Sequence, residues 1–148
     1  MATFRLEVPV SVRFRDLDIF GHVNNAVYFT YLEIARNAYW TKLFGPRRQR
    51  TANFIIARAE LDYRSQATDE DTVVVGIRVS SIGNSSFEFH YNVLDAPSRR
   101  LIAEARSVQV MFDYKSNQKI PMPESVKDRV LAFEGVDNVS VKGSLQRG

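Results

Sequence analysis

The stretch RFRDLDIFGHVNNAVYFTYLEIARNAYW, from Arg13 to Trp40, decides the fold. It joins the end of an alternating segment, a polar loop with two aspartates and the start of the one long helix that the sequence supports. From Tyr28 to Leu43, apolar side chains recur with the 3.6-residue period of a helix and form one wide stripe. The stripe consists of Tyr28, Tyr31, Leu32, Ala35, Ala38, Tyr39 and Leu43. Because the remaining segments are mostly typical of strands, we expect a single sheet to cover this stripe.

The composition is that of one globular domain. The chain has 148 residues, of which 45% are hydrophobic and 25% are charged, as in ordinary compact domains. A formal net charge of +3 suits an anionic small ligand but is too weak to indicate nucleic acid. The lack of cysteine excludes disulfides and thiolate sites, and it permits a reducing compartment. No segment approaches the roughly 20 apolar residues of a membrane span, so we expect no membrane association and a cytoplasmic location.

Alternation of apolar and polar residues predicts a first strand from Phe4 to Phe14. Pro9 cannot donate a hydrogen bond to a neighbouring strand, so this strand should lie at a sheet edge. Four further strands are predicted at short intervals, over residues 54–64, 73–79, 87–93 and 101–112. The short turns between neighbouring strands imply antiparallel pairing.

Helix boundaries complete the predicted architecture. Gly45 and Pro46 end the long helix, and Pro123 opens a short amphipathic helix that ends at Gly135. We expect one domain over residues 1–135 and a flexible polar tail over residues 136–148. The predicted class is α+β, with a curled antiparallel sheet of about five strands wrapped around one long central helix.

The loop before the long helix carries a motif that resembles hotdog-fold thioesterases of the 4-hydroxybenzoyl-CoA and acyl-CoA thioesterase type. The motif is DLDIFGHVNN over residues 16–25, followed by Tyr28 and by Tyr31-Leu32-Glu33. A weaker similarity is the string AEARSV over residues 103–108. The resemblance implies a hotdog fold and hydrolysis of a fatty or aromatic acyl-CoA to the free acid and coenzyme A. It implies no cofactor, since coenzyme A is part of the substrate.

Thioester cleavage needs an attacking oxygen and a donor for the charge that develops on the carbonyl oxygen. Asp18, in the loop just before the helix, can attack the carbonyl carbon or activate a water. The resemblance assigns the catalytic carboxylate to Asp18, the second aspartate of the motif. For Asp16 the favoured interpretation is structural, with the carboxylate bound to backbone amides of the turn, and this role is also the alternative for Asp18.

The residues that follow Asp18 suggest its catalytic partners. Asn24 and Asn25 suit the N-cap of the helix, and the resemblance assigns the backbone amide of Asn25 to polarise the thioester carbonyl. His22 follows Asp18 by four residues, as in the similar plant acyl-ACP thioesterases, although Phe20 stands where those enzymes have asparagine. His22 is therefore either a catalytic acid or base, or a turn histidine bonded to backbone.

Substrate binding implies two further sites. The acyl group is expected along Tyr28, Tyr31 and Phe54, although an aromatic residue on a helix is more often plain core. The phosphates of coenzyme A require arginines and loop amides near the mouth of the site. The candidates are Arg64, Arg47, Arg48 and the turn Gly83-Asn84-Ser85-Ser86, in which Ser85 and Ser86 are the predicted ligands. For Arg47 and Arg48 the favoured interpretation is a solvated loop. With two histidines and no adjacent carboxylate cluster, no metal site is predicted.

An exposed edge of a single sheet invites pairing with a second copy. The resemblance implies a homo-oligomer, a dimer or a homotetramer, whose active sites lie at the subunit interface. Two alternatives to an acyl-CoA thioesterase stay open, namely an acyl-ACP thioesterase and a non-catalytic acyl-binding module on the same fold. A hotdog hydratase is disfavoured because no separate Asp and His pair is placed as in that branch.

Overall fold

The computed structural model describes residues 4–47 and 53–142, which form two α-helices and seven strands. The strands are β1 Leu6–Pro9, β2 Phe54–Tyr63, β3 Val73–Ile82, β4 Ser86–Asp95, β5 Leu101–Asp113, β6 Gln118–Lys119 and β7 Ser140–Val141. The helices are α1 Val27–Phe44 and α2 Glu124–Glu134. This arrangement confirms the predicted α+β class, in which one long helix lies between the first strand and the others.

The strands form one sheet in the order β1-β3-β4-β5-β2, while the two-residue strands β6 and β7 pair with β5 and β3. β1 runs antiparallel to β3. The amide of Arg64, just after β2, donates to Ile102 O at the start of β5, and the amide of Phe112 at its end donates to Asn53 O just before β2. These two strands are therefore antiparallel as well. The antiparallel sheet and the edge position of β1 are confirmed.

The predicted first strand, Phe4 to Phe14, is wrong in its second half. β1 ends at Pro9, and a 3-10 turn occupies Phe14–Asp16, with the ring of Phe14 91% exposed. The amide of Arg13 donates to Oδ2 of Asp16 at 2.9 Å, a local bond that competes with strand pairing. The alternation of apolar and polar residues in this segment does not indicate the bond between Arg13 and Asp16.

Helix α1 buries the predicted stripe. Tyr28, Tyr31, Leu32, Ala35, Tyr39 and Leu43 are buried, and Ala38 is half-buried. The helix ends where predicted, at Gly45, which takes a φ of +81° and donates its amide to Thr41 O at 2.9 Å. A positive φ of this kind favours glycine over residues with a Cβ. Neither of the two described helices has both the length and the apolar content needed to cross a membrane.

Helix α2 follows Pro123 and ends before Gly135, as predicted. The chain then forms a 3-10 turn at Val136–Asn138, and β7 pairs in parallel with β3. Residues 143–148 lie outside the described part of the chain. The predicted flexibility of the tail stays a prediction.

The residues divide into two compact units, and α1 and strands β2 to β5 contribute to both. The first comprises Met1–Tyr39, Leu61–Ile77 and Tyr91–Ala105, and the second Trp40–Glu60, Arg78–His90 and Arg106–Gly148. The second unit contains a cluster of rings, in which the Trp40 ring lies 5.0 Å from that of Phe54 and stacks at 5.5 Å on that of Phe87. The first unit contains the loop of the motif, residues 16–25. A single domain over residues 1–135 stays a prediction.

Candidate active site

The loop between the 3-10 turn and α1 is a small closed hairpin. The amide of Asp18 donates to His22 O at 2.7 Å, and Leu17 forms an isolated antiparallel bridge with Val23. At the tip, Gly21 has a φ of +79° and donates its amide to Asp18 O at 3.1 Å. Both backbone groups of Asp18, its N–H and its carbonyl, are therefore bonded within the hairpin.

The side chain of Asp18 uses one carboxylate oxygen for structure and leaves the other open. Oδ1 accepts hydrogen bonds from the amides of Phe20, at 2.8 Å, and His22, at 3.1 Å. Oδ2 accepts no hydrogen bond from residues 4–47 or 53–142, and the residue is exposed. The arrangement can fix the orientation of the carboxylate while presenting one oxygen to a water or a substrate.

His22 contacts Asp18 through its backbone. Its amide donates to Oδ1 of Asp18 and its carbonyl accepts from the amide of Asp18. Within the described residues, no hydrogen bond joins the imidazole to this carboxylate. These contacts are those of a turn histidine, and an acid or base role for the ring stays a prediction.

Asp16 is buried, with 1% of its surface exposed. Its Oδ1 accepts from Nε of Arg13 at 3.1 Å and from Nη2 at 2.9 Å, and its Oδ2 accepts from the amide of the same arginine. Burial alone would raise the pKa of Asp16, but the hydrogen bonds from Arg13 and Tyr31 outweigh it and hold the pKa below its usual range. With both oxygens occupied, Asp16 has the structural role that the sequence favoured.

The turn before α1 leaves one backbone amide open. Oδ1 of Asn24 accepts from the amide of Ala26 at 2.9 Å, and Asn24 O accepts from the amide of Val27 at 3.0 Å. The carbonyl of Asn25 accepts from the hydroxyl of Tyr63 at 2.8 Å. The N–H of Asn25 donates to no acceptor in the described part of the chain. It is therefore free to donate to a bound group, as the resemblance implied for this position.

The predicted acyl-binding residues lie in two different units. Tyr28 and Tyr31 are buried in the first unit, with their rings edge to face at 6.1 Å, whereas Phe54 packs on Trp40 in the second. Burial raises the pKa of both tyrosines, and the carboxylate of Asp16 adds to this for Tyr31. The two tyrosines therefore serve as core of the first unit, and a role in acyl binding stays a prediction.

Two apolar residues beside Asp18 were not among the predicted site residues. Ile19 is 92% exposed and Phe20 is 76% exposed, in a hairpin where the amide of Phe20 donates to Oδ1 of Asp18. Large apolar side chains exposed together indicate a surface that meets a ligand or another chain. The signal was present in the sequence, since DLDIFGH places two large apolar residues inside an otherwise polar loop.

The predicted coenzyme A ligands are also divided between the units. Arg64 is exposed in the first unit, where its Nε lies 3.3 Å from Oε1 of Glu104. Ser85 and Ser86 lie in the second unit, at the turn between β3 and β4. Arg48 falls outside the described residues. Across residues 4–47 and 53–142, no three His, Asp or Glu side chains cluster as a metal site would require.

Tyr63 is a further residue of this region that the sequence did not indicate. It lies at the end of β2, 38 positions after Asn25, and its hydroxyl reaches the Asn25 carbonyl. Nothing in the local pattern of β2 distinguishes this tyrosine from an ordinary strand residue. Only the folded chain brings the two together.

Known proteins are similar to this chain in sequence and in fold. A thioesterase from Thermus thermophilus, crystallised with coenzyme A and Zn, is 36% identical, with a TM-score of 0.81 over 91% of this chain and 98% of its own. The uncharacterized protein YsmA of Bacillus subtilis is 34% identical over 82 residues, and this match spans 55% of the chain but only 56% of that protein. The acyl-acyl carrier protein thioesterase ATL3 of Arabidopsis thaliana is 28% identical over 86% of this chain and 68% of its own length.

The profile of the thioesterase-like superfamily matches residues 12–130, which include the hairpin, α1 and strands β2 to β5. Together with the solved thioesterase, this match confirms the hotdog fold and, at the level of the family, the predicted class of thioester hydrolases. The chain belongs to the thioesterase-like superfamily.

Proposed function

We propose that the chain is an acyl-CoA thioesterase that hydrolyses a fatty or aromatic acyl-CoA to the free acid and coenzyme A. One observation carries the proposal. Asp18 is anchored through Oδ1 with Oδ2 open, and the chain a few residues further on presents the free amide of Asn25. A fixed carboxylate and a backbone donor are the two parts that thioester hydrolysis requires. Coenzyme A in the 36%-identical relative supports the choice of substrate.

In the proposed reaction, Oδ2 of Asp18 takes a proton from a water as the water oxygen attacks the thioester carbonyl carbon. The carbonyl oxygen becomes an oxyanion and accepts a hydrogen bond from the N–H of Asn25. The C–S bond then breaks, the electron pair leaves with the sulfur, and the proton on Asp18 returns to the thiolate. Direct attack by Asp18 would instead give a mixed anhydride that water hydrolyses.

The acyl group and coenzyme A need separate surfaces. We extend the proposed acyl site in the first unit, at Tyr28 and Tyr31, to the exposed side chains of Ile19 and Phe20, because they stand beside Asp18 on the solvent side. Arg64 is exposed and suits a phosphate of coenzyme A. The reaction needs no cofactor besides its substrate, and we propose a cytoplasmic location, in keeping with the cysteine-free sequence.

We further propose a homo-oligomer, a dimer or tetramer, with the active sites at the subunit interface. β2 is an end strand of the sheet, and its residues 55–60 are all exposed. Ile55 and Ile56 lie among them. An open edge with apolar side chains is suited to pairing with the same strand of a second copy.

A second candidate is an acyl-ACP thioesterase, for which the similarity to the plant enzyme ATL3 is the supporting observation. The chemistry at Asp18 and Asn25 would be the same, and only the surface that receives the carrier would differ. Rates with matched acyl-CoA and acyl-ACP esters distinguish the two candidates. A non-catalytic acyl-binding module would bind both esters and cleave neither.

The test is free-thiol release from a panel of short, long and aromatic acyl-CoA esters with the wild type and Asp18→Asn. Asparagine keeps Oδ1 as the acceptor for the amides of Phe20 and His22, so the hairpin should stay folded. Only the second carboxylate oxygen is lost. We expect a decrease in kcat/KM of about 10² or more, whereas the exposed control Asp137→Asn should keep wild-type rates.

Three results would contradict parts of the proposal. Equal rates for wild type and Asp18→Asn would remove Asp18 from the chemistry. Cleavage of acyl-ACP esters alone would favour the carrier-protein candidate. Binding of every ester without cleavage would leave the non-catalytic module.

A further inference from the structure

The hydroxyl of Tyr63 donates a hydrogen bond of 2.8 Å to the carbonyl oxygen of Asn25. The Tyr63 ring is itself held in place, since it packs edge to face on the ring of Tyr28 at 5.2 Å and an interplanar angle of 76°. Tyr28 is 2% exposed. Tyr63 thus brings a fixed donor from β2 to the turn that precedes α1.

In the turn of Asn24 and Asn25, the backbone groups next to the Asn25 N–H all have hydrogen-bond partners. The amide of Asn24 donates to Asp16 O at 2.8 Å, and the carbonyl of Asn24 accepts from the amide of Val27. The next peptide group is held at both ends, with its carbonyl bonded to Tyr63 and its N–H, that of Ala26, bonded to Oδ1 of Asn24. The N–H of Asn25 is the group left without a partner among the described residues of this turn.

We propose that Tyr63 is a positioning residue for catalysis, which fixes the direction of the Asn25 N–H by holding the carbonyl of the same residue. The inference rests on the proposed function, in which this N–H receives the oxyanion. The N–H of Asn25 belongs to the peptide group between Asn24 and Asn25. The bond from Tyr63 restrains the next peptide group, between Asn25 and Ala26, and thereby limits rotation of the group that carries this N–H. An oxyanion donor is effective only when it points at the developing charge without rearrangement.

A positioning role predicts a change in kcat without a change in binding. Tyr63→Phe removes the hydroxyl alone and retains the ring on Tyr28. Because one oxyanion donor is worth about 10² to 10³ in kcat, and because the variant loosens this donor without deleting it, we expect kcat to decrease about tenfold. KM should change by less than about twofold, since the lost interaction acts in the transition state.

The matched control is Tyr114→Phe, which removes an exposed hydroxyl from a ring that packs on Phe112 in the second unit. It should leave both constants unchanged. Amide hydrogen exchange supplies a readout that does not depend on catalysis. In Tyr63→Phe, exchange at Ala26 and Val27, whose amides donate to Oδ1 and O of Asn24, should become faster, while exchange in the middle of α1 should not change.

The outcomes separate this proposal from the proposed function. If Asp18→Asn is inactive but Tyr63→Phe has wild-type kcat, the positioning role is overturned and the thioesterase stands. A raised KM with unchanged kcat would also overturn it, since Tyr63 would then contact the substrate in its ground state. If the wild type cleaves no ester, the proposed function fails, and unchanged exchange at Ala26 and Val27 would show that Tyr63 does not hold the turn either.

Discussion

The hydroxyl of Tyr31 donates a 2.9 Å hydrogen bond to Oδ2 of Asp16, joining the second turn of α1 to the 3-10 turn that enters the hairpin of Asp18. Both residues are buried. The same carboxylate binds Arg13. A single side chain thus joins Arg13, before the hairpin of Asp18, to Tyr31, after it. The buried aspartate of the motif thus orders the loop, and the exposed aspartate is left for the proposed chemistry.

Asp16→Asn should destabilise the protein. The amide nitrogen of asparagine cannot accept from Arg13 or Tyr31, so a buried donor loses its partner. We expect the free energy of unfolding to decrease by about 2 kcal/mol, measured by urea denaturation at neutral pH. The exposed carboxylate variant Asp69→Asn is the control and should unfold at the wild-type midpoint. Equal midpoints for wild type and Asp16→Asn would contradict a structural role for Asp16.

The same carboxylate predicts a pH dependence of stability. Because the pKa of Asp16 is lower in the folded state than in the unfolded chain, its contribution is fully present above the ordinary carboxyl pKa of roughly 3.9 and is lost as the pH falls through the folded value. The stability difference between wild type and Asp16→Asn should therefore be constant near neutral pH and shrink below about pH 4. Urea denaturation of both proteins from neutral to acidic pH measures it. A difference that grows on acidification would contradict the lowered pKa.

Gly21→Ala should weaken the hairpin and the activity together. Gly21 has a φ of +79°, and an added Cβ would meet no atom within 4 Å, so the cost is purely that of the backbone conformation. Left-handed backbone costs a residue with a Cβ roughly 1–2 kcal/mol. The hairpin can relieve this backbone strain only by moving the amides of Phe20 and His22, which donate to Oδ1 of Asp18. Asparagine tolerates the same conformation better.

The measurement for Gly21 compares thermal unfolding and thiol release for the alanine and asparagine variants. We expect Gly21→Asn to keep more stability and more activity than Gly21→Ala. If the two variants behave alike, the positive φ is not what the position requires.

The sequence predicted the elements because their signals are local. The stripe from Tyr28 to Leu43 repeats with the period of a helix, and Gly45 ends it, so α1 could be placed within a few residues. The prediction of the first strand was wrong beyond Pro9 because the cause of the turn that follows is not visible in the local pattern. Its alternation continues to Phe14, but the carboxylate of Asp16, itself fixed by distant Tyr31, turns the backbone at Arg13.

The site was only partly predictable for the same reason. The motif predicts Asp18 and the Asn25 amide as site residues, and the side chain and amide contacts around them come from residues close in sequence. The Tyr63 contact joins residues 38 positions apart and depends on the path of β2. The closed hairpin brings the backbone of His22 to Asp18, an arrangement that a spacing of four residues does not specify.

Ile56→Lys should disrupt the proposed subunit interface. Ile56 lies on the open edge strand β2 and is 42% exposed, and lysine at an edge opposes strand pairing by charge repulsion and desolvation. Ile34 on α1 is equally exposed at 42%, so Ile34→Lys is a control matched in residue type, charge and burial. Light scattering at micromolar concentration should show a smaller oligomer for Ile56→Lys and the wild-type mass for Ile34→Lys.

Activity then decides whether the interface completes the site. If each active site needs two chains, Ile56→Lys should lose thioesterase activity in proportion to its dissociation, and raising the protein concentration should restore activity by mass action. A monomeric Ile56→Lys with full activity would show that one chain suffices, and a monomeric wild type would exclude the interface altogether. A loss of activity in Ile34→Lys, without a change of mass, would instead point to a role for the outer face of α1.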